Sequence, residues 1–258
     1  MKIKFITLNI LHGGELLDSI LEFLNKEDPD IIALQEVCES KDLSLPKNLR
    51  TTSVLTEYYK NYTLKFAPEQ LWIKEGNVEI GNAILSKFPI ISHKIEFFDV
   101  KYGYYPESPE KTDFSKDPQN LQHIEIDIHG TTFNIINVHG IWGFDGEDNP
   151  RRDVMSSVIT RRIKNLSNVI LSGDFNTRPH THAIKNIEHY LRNIFKDELK
   201  TTFNVPRRLK NIHKQNETGY ASSVVDMIFM SPQLKIVDHY CPAVDVSDHL
   251  PLVAILEI

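Results

Sequence analysis

The sequence predicts a mixed α/β fold rich in strands, on three observations. Strand, helix and strand follow one another within residues 1–37, short β-type stretches succeed one another from residue 60 to 140, and apolar strands close the chain after residue 223. Lys2 to Asn9 carries apolar side chains on both faces once past Lys4, as a buried strand does. Gly13-Gly14 breaks it, and Leu17, Ile20, Leu21 and Leu24 recur at helical spacing until Pro29. Asp30 to Val37 is a second buried strand, with the polar pair Gln35-Glu36 near its carboxyl end. Tyr62–Phe66, Gln70–Lys74, Gly81–Leu85 and Ile90–Phe98 read as further strands. Ile124, Ile126 and Ile128 alternate with Glu125 and Asp127, Gly130 turns the chain, and Thr132 to His139 returns as the second arm of a hairpin. Tyr102 to Asn120, rich in Pro, Asp, Glu, Lys and Tyr without periodicity, reads as a long surface loop of the sort that covers binding sites. Asn149-Pro150 starts a helix, with Asn capping and Pro at the first helical position, and Val154, Val158, Ile159, Ile163 and Leu166 form its apolar face. Asn168–Ser172 is a strand, Thr177 to Pro179 opens a further helical segment, and Val224–Met230, Lys235–Tyr240 and Leu252–Ile258 are the closing strands. No repeat, low-complexity tract or linker divides the sequence, so residues 1–258 are expected to form one domain.

Composition narrows the function. Of 258 residues, 41% are hydrophobic and 25% charged, which excludes disordered and fibrous classes. Acidic residues outnumber basic ones 35 to 29, and a formal charge of -6 argues against non-specific clamping of a long duplex. A small phosphate substrate, or a cation held by carboxylates, fits that balance. Cys38 and Cys241 cannot build a disulfide framework, and they read as reduced thiols of a cytoplasmic protein. No apolar run approaches the roughly 20 residues of a membrane span, and the start resembles a signal peptide only superficially.

The informative positions are polar residues at the ends of strands that otherwise read as core. Asn9 follows Ile3 and Phe5 on one strand face, and Glu36 closes an apolar run. Asn137 and His139 end the hairpin's return strand, Asp174 and Asn176 follow Val169–Gly173, and Asp226 interrupts Val224–Phe229. Asp248 and His249 precede the last strand. Each has a bland alternative: a lone Asn or Asp after a strand is commonly a turn former, and a lone histidine is commonly interfacial. Arg151-Arg152 reads as a solvated helix face from which one residue could reach a phosphate. Burying several carboxylates costs several kcal/mol each unless they are paired, hydrogen-bonded or bound to a metal, so convergence on one cation and one oxyanion would offset them together.

Seven short motifs occur in order: Thr7-Leu8-Asn9, Leu34-Gln35-Glu36-Val37, Gly81 to Ser86, Asn137-Val138-His139-Gly140, Gly173-Asp174-Phe175-Asn176, Val225 to Phe229, and Ser247-Asp248-His249-Leu250-Pro251. This set resembles the endonuclease/exonuclease/phosphatase superfamily of metal-dependent phosphoesterases, from the first strand to the last. The resemblance implies a DNase I-like, four-layered α/β/β/α sandwich: two mixed β-sheets packed face to face with helices outside. It implies Glu36 as principal ligand of a divalent metal, Mg2+ or Mn2+, with Asn9 and Asp248 beside it. Asp174 is similar to the residue that activates the attacking water, and Asn176 to its positioning partner. His249 resembles a phosphate-contacting histidine held by Asp226, and His139 the second histidine of the site. Asn137, Trp142 and Arg151 are weaker candidates for substrate contact. His139 stands where the apurinic-site endonucleases of this superfamily carry tyrosine, and Leu11 where they carry an acidic residue. The histidine is more similar to the sphingomyelinase, deadenylase, inositol-phosphatase and tyrosyl-DNA phosphodiesterase branches. The expected partner is therefore a phosphate ester, nucleic acid or nucleotide first, phospholipid or inositol phosphate second. A non-catalytic binding module on the same fold is the alternative of a different class.

Overall fold

A computed structural model describes residues 1–104, 116–211 and 219–258. Most of the expected 102–120 loop lies outside the described residues. Among the described residues there are thirteen strands: β1 (Lys2–Asn9), β2 (Ile31–Glu39), β3 (Thr63–Trp72), β4 (Val78–Ser86), β5 (Ile90–Phe97), β6 (Gly103–Tyr104), β7 (Asn120–Ile128), β8 (Thr131–His139), β9 (Val169–Asp174), β10 (Arg192–Asn193), β11 (Asp226–Met230), β12 (Lys235–Tyr240) and β13 (Leu252–Glu257). The helices are α1 (Leu17–Glu27), α2 (Thr51–Tyr58), α3 (Pro150–Ile163), α4 (His182–Glu188) and α5 (Val205–Asn211). One sheet runs β12-β13-β1-β2-β4-β3-β6 and the other β10-β11-β9-β8-β7-β5. Both are mixed: β1 pairs parallel with β2 and antiparallel with β13, and β8 pairs parallel with β9 and antiparallel with β7.

Strand parity builds the layers, because alternate side chains point to opposite faces. Ile3 and Phe5 of β1, Ile31 and Ala33 of β2 and Ala254 of β13 meet Ile124 and Ile126 of β7, Ile135 of β8 and Ile228 of β11 in one buried cluster between the sheets. Ile6 and Leu8 of β1 face the other way, onto Leu17, Ile20 and Leu24 of α1 and Leu55 of α2. Ile136 and Val138 of β8 likewise pack under Met155 and Ile159 of α3 and Ile184 of α4. The result is the four-layered α/β/β/α sandwich.

The elements refine the sequence expectations. Tyr62–Phe66 and Gln70–Lys74 join into the single strand β3, whose register shifts between Pro68 and Gln70 because proline cannot donate to the ladder. His129 and Gly130 make the hairpin turn with φ of 51° and 84°, and Asp127 Oδ1 accepts from Gly130 N (2.8 Å). Asn149 caps α3 as expected, its side chain accepting from Arg152 N. Val154 does not belong to the buried face of α3: it is 41% exposed, and Arg152, fully buried, occupies that face with Met155, Val158, Ile159 and Ile163. The helix after β9 begins not at Thr177 but at His182, where the Thr181 side chain accepts from Ile184 N. α2 and α5 carry no periodicity that marked them in the sequence.

Candidate active site

The polar layer begins where the apolar one ends, on the same strand faces. Beyond Ile3 and Phe5, β1 presents Thr7 and Asn9; beyond Ile135, β8 presents Asn137 and His139; β9 presents Ser172 and Asp174; and β11 opens with Asp226. β1 and β2 run parallel, as do β8 and β9, so both pairs deliver these positions to the same end of the sandwich. Deepest in this layer, Gln35 Nε2 donates to Thr7 Oγ1 (3.1 Å) and to Asn137 Oδ1 (2.6 Å), while Asn137 Nδ2 donates to Leu34 O (2.8 Å). Asn137, expected to contact substrate, is fully buried and ties one sheet to the other. Its carbonyl and amide are both spent on that tie.

Glu36 sits at a register shift of β2 between Leu34 and Val37 and has φ of 60°. The bulge turns both Gln35 and Glu36 toward residues of the inter-sheet face. Glu36 Oε1 accepts from Asn9 Nδ2 (3.0 Å) and Oε2 from His12 N (2.8 Å). The same Asn9 nitrogen donates to Asp174 Oδ2 (3.1 Å), so one amide bridges carboxylates from different sheets. Burial alone would raise the Glu36 pKa; the charges of His12 and His139 and the two hydrogen bonds overcome it and bring the carboxyl down to about 2.

Two imidazoles face this pair, each backed by a buried carboxylate. His249 Nδ1 meets Asp226 Oδ2 at 2.9 Å, and its Nε2 lies 3.7 Å from Asp174 Oδ2. His139 Nδ1 meets Glu69 Oε2 at 3.2 Å, and its Nε2 lies 3.9 Å from Glu36 Oε1. Burial opposes protonation of both rings. The carboxylates win, holding His139 up at about 10 by Glu69, Glu36 and Asp174, and His249 up at about 9 by Asp226, Asp174 and Asp248. Each ring nitrogen turned away from its backing carboxylate is therefore a charged donor aimed at the site. Burial pushes the backing carboxyls upward in turn, Glu69 to about 7.

Asp174 Oδ1 accepts from Asn176 N (2.8 Å), closing a tight turn that holds Asn176 at φ 51°. Gly140 is required where this turn meets the end of β8: a Cβ there would lie 2.1 Å from Phe175 O. Asn176 Nδ2 donates to Gly140 O (3.2 Å).

The structure thus brings Asn9, Glu36, His139, Asp174, Asn176, Asp226 and His249 together. Asp248 is buried nearby but is paired with the Arg208 guanidinium, which also lies over the Phe203 ring at 4.6 Å. Trp142 meets Phe144 edge to face at 4.7 Å on the loop after β8. Arg151 grips Asp99 through two hydrogen bonds (2.5 and 2.9 Å) and donates to Asp117 O (2.7 Å), which fixes the chain leading into β7. Arg152, read as solvated, is the buried one: it holds Ile141 O (3.1 Å), Glu147 O and Asp145 (3.1 Å), and so clamps the loop that carries Trp142. Sequence reasoning missed Glu69, His12, Arg208 and Tyr220. Glu69 follows a proline in an interrupted strand, and the other three lie in turns or on a short helix, where polar residues carry no burial signal.

The donor set suits a hard divalent cation. Glu36 and Asp174 offer oxygen, both within 3.1 Å of one Asn9 nitrogen, and oxygen ligands are what magnesium takes. Glu36 and Asp174 share a single amide nitrogen between them, an approach of two carboxylates that a divalent ion would offset. Ligating atoms of Asp174, Asp226 and His249 also converge within 4.8 Å. In that cluster the His249 ring lies between the two carboxylates, with Nδ1 taken up by Asp226 at 2.9 Å and Nε2 3.7 Å from Asp174.

Carboxylates, amides and imidazoles gathered at the strand ends of one sandwich are groups that phosphate-ester chemistry can use. The chain matches the Endonuclease/Exonuclease/phosphatase family over residues 6–249, and it belongs to that family. Its fold is similar to the endonuclease/exonuclease/phosphatase of Bacteroides vulgatus, with a TM-score of 0.73 and 17% identity over 100% of this chain and 99% of that one. It is similar to the mannosyl-6-phosphatase of Bacteroides thetaiotaomicron (TM-score 0.70, 17% identity, 99% and 100% covered). It is also similar to D. rerio TDP2 complexed with single-strand DNA product (TM-score 0.70, 15% identity, 100% and 99% covered). No curated protein sequence matches the chain. Among the described residues, no helix is long and apolar enough to cross a membrane.

Proposed function

We propose that this protein is a hydrolase of phosphate esters dependent on Mg2+ or Mn2+, a phosphodiesterase or nuclease acting on nucleic acid or nucleotides. The observation that carries the reading is the pair of carboxylate-backed imidazoles, Asp226–His249 and Glu69–His139, facing Asp174 and Glu36. Phosphoryl chemistry asks for positioning and for positive charge beside a developing oxyanion. Glu36, with Asp174 and Asn9 beside it, would hold the cation, which when bound supplies charge to a phosphate oxygen and draws electron density from phosphorus. Asp174 takes a proton from the attacking water, and Asn176 positions the reacting group. His249 and His139 donate from their inward nitrogens, one to the phosphate and one toward the departing oxygen. The two free cysteines, Cys38 buried and Cys241 half-buried, fit a reducing cytoplasmic setting.

Two structural neighbours differ in the esters their names carry, single-strand DNA for one and a mannosyl phosphate for the other. The reaction class is the common ground, and a monoester substrate is the second reading. Hydrolysis of bis(p-nitrophenyl) phosphate and of p-nitrophenyl phosphate, measured with Mg2+ and Mn2+, separates the two. Asp174→Ala and His249→Ala should each lose about 10²–10⁴-fold in metal-dependent turnover with the fold intact. Full activity in either variant would refute the assignment, and inert wild type across metals and esters would favour a binding module.

A further inference from the structure

A primary amide is nearly symmetric in shape but opposite in polarity at its two ends. Beside an anionic phosphate, an asparagine helps only if its NH2 end points there; the flipped amide repels. Asn176 is buried, and rotation about its last side-chain bond would exchange those ends. Two contacts together settle which end faces where, because the Gly140 carbonyl can only accept. Tyr220 donates its hydroxyl proton to Asn176 Oδ1 at 2.6 Å, on the side of the amide opposite Nδ2, whose hydrogen goes to Gly140 O. Nδ2 keeps a second hydrogen.

Tyr220 is built for that contact. It is fully buried, on the 3-10 turn Tyr220–Ser222, with its ring edge to face against Phe203 (centroids 5.6 Å apart). Phe203 packs in turn on the His249 ring at 4.5 Å. On the other side lies Gly146, at φ 71°, where an added Cβ would come within 2.9 Å of Tyr220 Cε2. Burial, with the Asp174 charge, drives the phenol well above the usual tyrosine range, so the hydroxyl stays a donor. A flipped Asn176 would set its oxygen against Gly140 O, which can only accept, and would force the Tyr220 hydroxyl to turn from donor to acceptor.

We propose that Tyr220 is a positioning residue that, together with the Gly140 carbonyl, holds the Asn176 amide with its nitrogen end toward the substrate phosphate. The inference rests on the phosphoesterase reading of Asn176. A double-mutant cycle on bis(p-nitrophenyl) phosphate turnover tests it with Tyr220→Phe, Asn176→Ala and the pair. Tyr220→Phe keeps the ring and should lower kcat about 3- to 10-fold, the range of one neutral hydrogen bond, with KM little changed. In the Asn176→Ala background the same substitution should change nothing. The side-chain amide protons of Asn176 should also exchange faster with solvent in Tyr220→Phe, a readout independent of turnover. Gly146→Ala, which displaces the Tyr220 ring, is the second variant and should follow the same pattern. If Asn176→Ala keeps full activity, the role of Asn176 falls and the lock with it. If Asn176→Ala is impaired but Tyr220→Phe is neutral, or equally harmful in both backgrounds, the lock alone is overturned.

Discussion

Glu36 carries a backbone cost for its position. A side chain at φ 60° is disfavoured by about 1–2 kcal/mol, and here it is imposed by a bulge in a central strand. The strain places a carboxylate between Asn9, His12 and His139 that an unbroken ladder would have turned away. Glu36→Gly should therefore abolish metal-dependent turnover and, by relieving the φ 60° backbone, cost less metal-free stability in urea unfolding than Glu36→Ala, which loses the same carboxylate contacts. An equal loss in both variants would show that the φ 60° backbone carries no strain. For His249 the direction of pH dependence is fixed by its partners. Its folded pKa is raised to about 9, so the imidazolium donor is present through neutral pH and is lost as pH rises through that value. Asp226→Asn removes the nearest carboxylate, the largest of the upward influences, and should move the alkaline limb of the pH–rate profile to lower pH. An unmoved limb would show that Asp226 does not set the charge of His249.

At the scale of elements, strand parity explains what the sequence could and could not disclose. Asn9 shares a face with Ile3 and Phe5, and Asp174 with Ile170, so their placement between the sheets follows from period-two alternation. Asp226, Asn137 and His139 were legible for the same reason. Glu69 was not: the register shift at Pro68 breaks the alternation that would have marked its face. Arg152 reads as solvated in the sequence because helix α3 is polar around much of its circumference, so a buried arginine leaves no gap in its pattern. That guanidinium fixes the loop from Ile141 to Glu147 through backbone carbonyls. Arg152→Met should cost about 2–4 kcal/mol in denaturant unfolding, by loss of those bonds and of close packing. A change within about 0.5 kcal/mol would show that the loop is held by other contacts.

At the scale of the molecule, the sandwich is a device with two ends. One end is sealed by isoleucine, leucine and phenylalanine from both sheets; the other fills the same space with amides, carboxylates and imidazoles. The fold class was legible because motifs on strand ends recur in order from Asn9 to His249, and the family match spans 6–249. Segments that brace the site from behind were not legible. The strip Thr202–Asn204 pairs with the chain at Asp248–Leu250 through Asn204 N to Asp248 O (2.8 Å) and Leu250 N to Thr202 O (2.7 Å), a contact that only the folded chain creates.

The central proposal is that Glu36 is the principal ligand of a single divalent ion, at the place where one Asn9 amide joins it to Asp174 of the other sheet. Calorimetric titration of the metal-free protein with Mn2+ tests it most directly, on wild type and Glu36→Gln in parallel. One ion per chain should bind wild type, and the affinity should drop by at least about tenfold in the variant, the 1.4 kcal/mol of one lost charged ligand. Equal binding by both proteins, or no saturable binding by wild type, would contradict it.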